Sequence, residues 1–284
     1  MTITSPGFYP SLTPAQYFAE PCPVAALSCS GMKLLLHAPA KFRHWHPALN
    51  PDTPTAREST ALRMGSLVHR LALGKGDDYA ISPFDEYRSK EARAWRDEHL
   101  AAGIAPIKQA EFDKASLMAT VLAASIARAT EGQPIETEVV MAWTETIDGV
   151  TVWCRAMVDV WCPSLGLALD LKTCESASDA WVNRAFANGY ALQETFYERG
   201  LHRLGAKRAE MPFLFIEKDE PHLTRVVRGS EAFRTGAEMT VERALRVMAR
   251  CQSTDEWPGF EPFTATPPAW WLNDVTAAEY QEAA

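Results

Sequence analysis

Asp159, Asp170 and Lys172 are the side chains in this sequence whose types and spacing could do chemistry. They lie in two apolar stretches, CRAMVDVW (residues 154–161) and LALDLKT (residues 167–173). Side chains alternate faces along a strand, so Arg155, Met157 and Asp159 share one face of the first stretch. Asp170 and Lys172 share one face of the second. If the two strands form a hairpin, the three charged groups converge while Val158, Leu169 and Leu171 pack elsewhere. Two neighbouring carboxylates repel and resist ionisation unless a cation lies between them. Their oxygens favour Mg²⁺ or Mn²⁺, and a nearby lysine can position water and stabilise charge at a phosphorus centre. An isolated D-x-K also reads as a solvated ion pair at the end of a strand. Asp159, eleven residues earlier on a matching strand, favours the metal site.

Three further positions extend the constellation. Gln193 and Tyr197 are four apart in GYALQETFYERGL, which stacks their polar tips on one helix face. His69 lies one turn beyond Gly65 and Ser66, small residues that leave room for a sheet to approach. Glu138, opening the strand-like ETEVV, is an additional candidate.

The elements that must carry these residues are legible in outline. Residues 1–24 have no periodicity and read as an extended arm. Ser28 or Ser30 caps a short helix with Met32, Leu35 and Leu36 inward, ended before Pro39. Ser59 or Thr60 caps a stronger helix that carries His69 and ends at Gly74. Another helix spans 89–101. A long amphipathic one follows from about residue 108, with Phe112, Leu117, Val121 and Ile126 inward. Val, Trp and Thr then dominate residues 136–162 around Asp148–Gly149, a hairpin signature. After LALDLKT come a helix over 178–205, a strand pair and a final helix. The order specifies an α/β core, residues 25–252, with an N-terminal helical part. Residues 253–284 are an irregular tail whose Trp257, Phe260, Phe263, Trp270 and Trp271 suit either an intersubunit contact or packing on the domain's own core.

Composition narrows the class. The 284 residues are 47% hydrophobic, enough for one substantial core. No apolar run is long enough to cross a membrane. The N-terminus has no charged lead into an apolar stretch, and the expected location is cytoplasmic. The six cysteines form no zinc-type spacing, and no iron–sulfur cluster is expected. The net charge of −8 disfavours an architectural DNA-coating protein but is compatible with a nuclease, because clustered carboxylates add negative charge. Two basic groups stand out, Arg88, Lys90, Arg93 and Arg96, then Arg199, Arg203, Lys207 and Arg208.

Taken in order, Gly65 to His69, Asp159, Asp170-Leu171-Lys172 and Gln193 to Tyr197 resemble the PD-(D/E)XK nuclease superfamily. The resemblance is closest to the RecE (exonuclease VIII) C-terminal nuclease family, and LSCSGMKLLLHAPAKF and ALRMGSLVHRLALG also look like that family's N-terminal helices. It implies a central mixed sheet flanked by helices. It further implies a Mg²⁺-dependent exonuclease, with Mn²⁺ able to substitute, that degrades one strand of duplex DNA from its 5′ end. The 3′ single-stranded tail would serve an annealing recombinase, and the enzyme would be a homo-oligomer, a tetrameric ring. On this resemblance Asp159, Asp170, the Leu171 carbonyl and His69 hold metal, and Lys172 orients the attacking water. Gln193 and Tyr197 contact DNA or support the site, and Arg155, Arg199 and Arg203 are candidate DNA contacts. A catalytically silent DNA-end-binding module and an endonuclease of the same superfamily are the alternatives.

Overall fold

The structure is a computed structural model that describes residues 2–53, 60–76, 78–206 and 208–272. The first segment does not stay an extended arm. Strand β1 (Gly7–Tyr9) pairs with the sheet, and helix α1 (Pro14–Phe18) follows. Ile3, Leu12, Tyr17 and Cys22 are buried in a small core of their own. The apolar positions here are too irregularly spaced to register as a period, and only the strand partner defines them. Helix α2 (Cys29–His37) is capped by the Ser28 hydroxyl, as its sequence predicts. A second helix, α3 (Pro39–Trp45), starts immediately, with Pro39 at a first-turn position where no backbone N–H is required.

Helix α4 (Thr60–Leu73) ends at Gly74 as expected, while the alternative cap Ser59 lies outside the described residues, as does Lys207. Strand β2 (Tyr79–Ile81), helix α5 (Lys90–Ala101) and strand β3 (Ala105–Ile107) follow. β2 and β3 form a separate parallel pair. On helix α6 (Gln109–Ala129) the buried stripe is Ala115, Met118, Leu122 and Ile126, so Leu117 points outward instead of inward.

The central sheet comes next. Strands β4 (Glu136–Ile147) and β5 (Val150–Cys162) form the expected hairpin, with Asp148 and Gly149 both at positive φ in its turn. Strand β6 (Leu167–Cys174) runs antiparallel to β5. The chain then crosses over through helix α7 (Asp179–Ala185), a π-helical turn (Phe186–Tyr190) and helix α8 (Ala191–Arg203). Strand β7 (Phe213–Glu217) returns parallel to β6, and strand β8 (Thr224–Val227) and helix α9 (Glu231–Thr254) complete the fold. The sheet order β1-β4-β5-β6-β7-β8 is a mixed six-stranded sheet.

Helices cover both faces. Leu169, Leu171, Leu214 and Ile216 meet α4 and α6 through Leu67, Val68, Met118 and Leu122. Phe213 and Phe215 face the other way, into a larger core with α2, α8 and α9. The period-two alternation therefore sends Asp170 and Lys172 toward the α8 side. Helix α8 reaches the sheet because Gly200 has no side chain. A Cβ there would stand 2.7 Å from the Trp143 ring. Gly200→Ala is expected to lower the unfolding free energy by about 1–2 kcal/mol. Overpacking costs about 1–3 kcal/mol and better helix propensity returns up to about 1. Urea unfolding of the purified variant measures it.

Candidate active site

The site begins where β5 and β6 separate. Their last described pairing here is Val160 with Leu169. One step further, the Leu171 N–H is taken instead by the Asp159 carboxylate, with Oδ2 accepting at 2.6 Å. His69, reaching over from α4, donates from Nε2 to the Leu171 carbonyl at 3.0 Å, and its Nδ1 lies 3.9 Å from Asp159 Oδ2. Both backbone polar groups of Leu171 are thus held by side chains, and its own side chain is sunk in the α4/α6 core. Gly65 permits this approach, since a Cβ there would already be 3.3 Å from Thr173 Oγ1 on β6.

Asp170 is 3% exposed. Lys172 forms an ion pair with its Oδ1, and the Gln193 amide donates to its Oδ2. Burial pushes the Asp170 carboxyl up to about 6 against the pull of Lys172, and the charge of Asp159 adds to the rise. For Lys172, burial opposes the charge, but Asp170 and then Asp159 outweigh it and hold the ammonium above the ordinary lysine range. The ammonium also lies 5.6 Å from the Tyr190 ring centroid and 5.7 Å from that of Phe213. Tyr197, one turn after Gln193, is buried. Burial and then its negatively charged neighbours, Asp170 and Asp159 among them, keep its phenol protonated well above the usual range.

Glu138 is buried on β4 at positive φ. Its neighbours pair as Thr137 with Val160 and Val139 with Val158, so it takes the register position opposite Asp159. Sequence and structure agree in bringing Asp159, Asp170, Leu171, Lys172, His69, Gln193 and Tyr197 together. Tyr190 was not anticipated. The available signal was Asn188-Gly189 inside a helical pattern. Gly189 has φ 125°, and around it the expected single helix becomes α7, a π-helical turn and α8.

The three arginines expected to meet DNA are each held by carboxylates. Arg155 is buried, bonded from Nε to Glu20 at 3.0 Å and through its guanidinium to the Tyr17 carbonyl. Glu20 is also 2.9 Å from His46 Nε2, so Arg155 anchors the N-terminal segment. Arg199 sits among Glu145, Glu238 and Glu242, and Arg203 pairs with Glu145 at 2.8 Å. These pairs, and the hydrogen bonds of Arg199 above all, outweigh the burial of Glu145 and hold its carboxyl below the usual range. In the other basic group Arg88 pairs with Glu86 and Arg96 with Asp97.

Two buried glutamates fix the helix that presents Gln193. Glu194 accepts the Gly229 N–H on both oxygens, at 3.1 and 2.9 Å, and Glu198 accepts the Met211 N–H at 3.0 Å.

The donor set fits a hard divalent cation, with two carboxylates and a backbone carbonyl at one strand end. Among the described residues no three His, Cys, Asp or Glu side chains close on a common point. Asp170 is turned toward Lys172 and Gln193, so any ion would be held by Asp159, Asp170 and the Leu171 carbonyl. His69 donates to that carbonyl and has Nδ1 3.9 Å from Asp159 Oδ2, so it would stand beside such an ion.

Residues 28–261 match the family described as PDDEXK-like domain of unknown function (DUF3799). The chain belongs to this PDDEXK-like family. Among solved structures it is similar to a candidate exonuclease from Eubacterium rectale, with 17% sequence identity and a TM-score of 0.53, over 98% of this chain and 99% of that one. At that identity the likeness is one of fold. The structure of SSO0001 matches 67% of this chain and 87% of its own at 12% identity, with a TM-score of 0.30 that carries no argument. No curated protein matches the sequence. No helix among the described residues is long and apolar enough to cross a membrane.

One pH effect follows from the glutamate that anchors α8. Burial raises the Glu194 carboxyl to about 7 against the Gly229 hydrogen bonds. A carboxyl whose folded value lies above its unfolded one stabilises the fold below the unfolded value, and that contribution is lost as pH rises through the folded value. Wild type is therefore expected to lose stability between about pH 5 and about pH 8. Glu194→Gln, which keeps an oxygen for Gly229, should lose less. Urea midpoints of both proteins across that range test it, and parallel curves would remove the assignment.

Proposed function

We propose that this chain is a metal-dependent exodeoxyribonuclease acting on the ends of double-stranded DNA. The observation that carries the reading is the Asp159–Leu171–His69 clamp set beside the buried Asp170–Lys172–Gln193 cluster, in a chain of the PDDEXK-like family. The RecE resemblance supports the finer assignments. These are digestion in the 5′-to-3′ direction, a 3′ single-stranded product for an annealing recombinase, and a tetrameric ring.

Asp159, Asp170 and the Leu171 carbonyl would hold Mg²⁺ or Mn²⁺, with His69 adjacent. When bound, the ion supplies polarisation of the phosphate and a more acidic water. The chain's own residues do the rest. Lys172 donates hydrogen bonds to the attacking water and places positive charge beside the phosphorus centre. Gln193 fixes the Asp170 carboxylate, and Tyr190 confines the Lys172 ammonium from its open side. Asp159 and His69 lock the Leu171 peptide so that its carbonyl cannot swing away. In the overall reaction a water oxygen bonds to phosphorus, the P–O3′ bond breaks, and the 3′ oxygen leaves and takes up a proton.

Linear duplex labelled at either 5′ or 3′ ends, incubated with Mg²⁺, tests the proposal. Wild type is expected to shorten it from the 5′ end, to leave a covalently closed circle intact and to stop in EDTA. Lys172→Ala should lower the rate at least about a hundredfold, the order seen when one charge-stabilising donor is removed. Asp170→Ala should be inactive. Full activity of the lysine variant, or activity in EDTA, is incompatible with the assignment. A gel shift without shortening would indicate a binding module, and cutting of the circle an endonuclease. Light scattering of the wild-type protein reads the oligomer, and a monomeric mass would remove the ring.

A further inference from the structure

If this chain is a nuclease, its substrate needs a path, and Arg155, Arg199 and Arg203 are all held by carboxylates. A different set of cations begins at the site itself. Lys33 and His37 are exposed and one turn apart on α2, and Lys41 follows on α3. Among the described residues neither Lys33 nor Lys41 is ion-paired. Cys29, one turn before Lys33, has its thiol pushed up to about 11, by burial first, with Lys33, Asp170 and Lys172 all close enough to act on it. Lys33 lies at the middle of α2, one turn after Cys29.

The contact between Lys33 and the π-helical turn places it further. A Cβ at position 189 would be 2.5 Å from Lys33 Nζ, so the lysine lies over Gly189. The next residue, Tyr190, packs on Lys172. Beside Lys33 a groove of about 420 Å³ opens between that turn and α9, walled by Asn188, Ala232, Gly236 and Thr240. That volume suits a small ligand or a nucleotide rather than a duplex.

Phe260 marks the far end. The residue is 72% exposed, and its ring meets His37 edge-on at 5.2 Å and lies 5.6 Å from the Lys41 ammonium. The tail that carries it is pinned to α3. The Ala40 N–H donates to the Pro258 carbonyl at 3.0 Å, and Trp257 stacks on Phe42 with centroids 5.6 Å apart. Unpaired cations for phosphates, with an open aromatic face for bases, are what binding of an unpaired strand requires.

We propose that Lys33, Lys41 and Phe260 form a track on which a single DNA strand lies against the site, the lysines contacting phosphates and Phe260 stacking a base. This rests on the nuclease reading, and the test separates the two. Fluorescence anisotropy is measured in EDTA with a labelled oligo(dT) of about twelve nucleotides, within the usual site size for unpaired strands. The proteins are wild type, Lys33→Gln, Lys41→Gln, Phe260→Ala and, as a distant control, Lys114→Gln. Lys33, Lys41 and Phe260 are exposed and Lys114 is half-buried, and matched melting curves confirm folding. Each track lysine variant is expected to lower the slope of log K against log salt by about 0.7. Phe260→Ala should weaken binding about tenfold with little change of slope. Variants that behave like Lys114→Gln would overturn the track, and so would losses confined to a duplex probe. Wild type that shortens linear duplex with Mg²⁺ while these variants bind normally refutes the track alone. Wild type that neither binds nor cuts DNA refutes the nuclease reading with it.

Discussion

Burying the carboxylate of Asp170 is the constraint on which the rest of this structure turns. An ionised group taken out of water is tolerated only when charge and hydrogen bonds replace the solvent. Lys172 supplies the charge and Gln193 the hydrogen bond. Lys172 comes with the strand, but Gln193 has to be delivered by a helix on the far side of a crossover. That helix must sit close to the sheet, which Gly200 allows against Trp143, and it must not slide, which Glu194 and Glu198 prevent. The same strand end needs its ladder opened, and Asp159 does so by taking the Leu171 N–H.

The acidic balance of the chain also acquires a structural meaning. Several carboxylates are fasteners. Glu20 holds Arg155, Glu145 holds Arg199 and Arg203, and Glu210 holds Arg228. Arginine suits this work because its planar fork satisfies two oxygens at once. Lysine is a flexible point charge, and among the described residues no carboxylate pairs with Lys33 or Lys41. Net charge therefore says little about where this molecule is positive.

How much was legible in the sequence follows from the range of the forces. Alternation in LALDLKT put Leu169 and Leu171 in one core and Asp170 with Lys172 on the other side, and the hairpin at Asp148–Gly149 followed from turn chemistry. The grouping of His69, Gln193 and Tyr197 with the carboxylates came from ordered motifs rather than from periodicity. What stayed hidden is what distant partners decide. β1 is a strand only because β4 offers an edge, and the β2/β3 pair depends on residues more than twenty apart. Arg155 looked like a site residue because alternation gives a face but not what covers it, and Glu20 lies 135 positions away. The helix over 178–205 looked continuous because its apolar pattern survives the turn at Gly189.

The short outer strands of the sheet bear on assembly. β1 has three residues and β8 four, while the long strands β4 and β5 lie inside. Yet β1 reaches only Val140, Met141 and Ala142, so most of the twelve-residue β4 has a strand partner on one side alone. The part of this sheet that a further strand could extend is therefore the outer side of β4, and the three residues of β1 are what interrupts it.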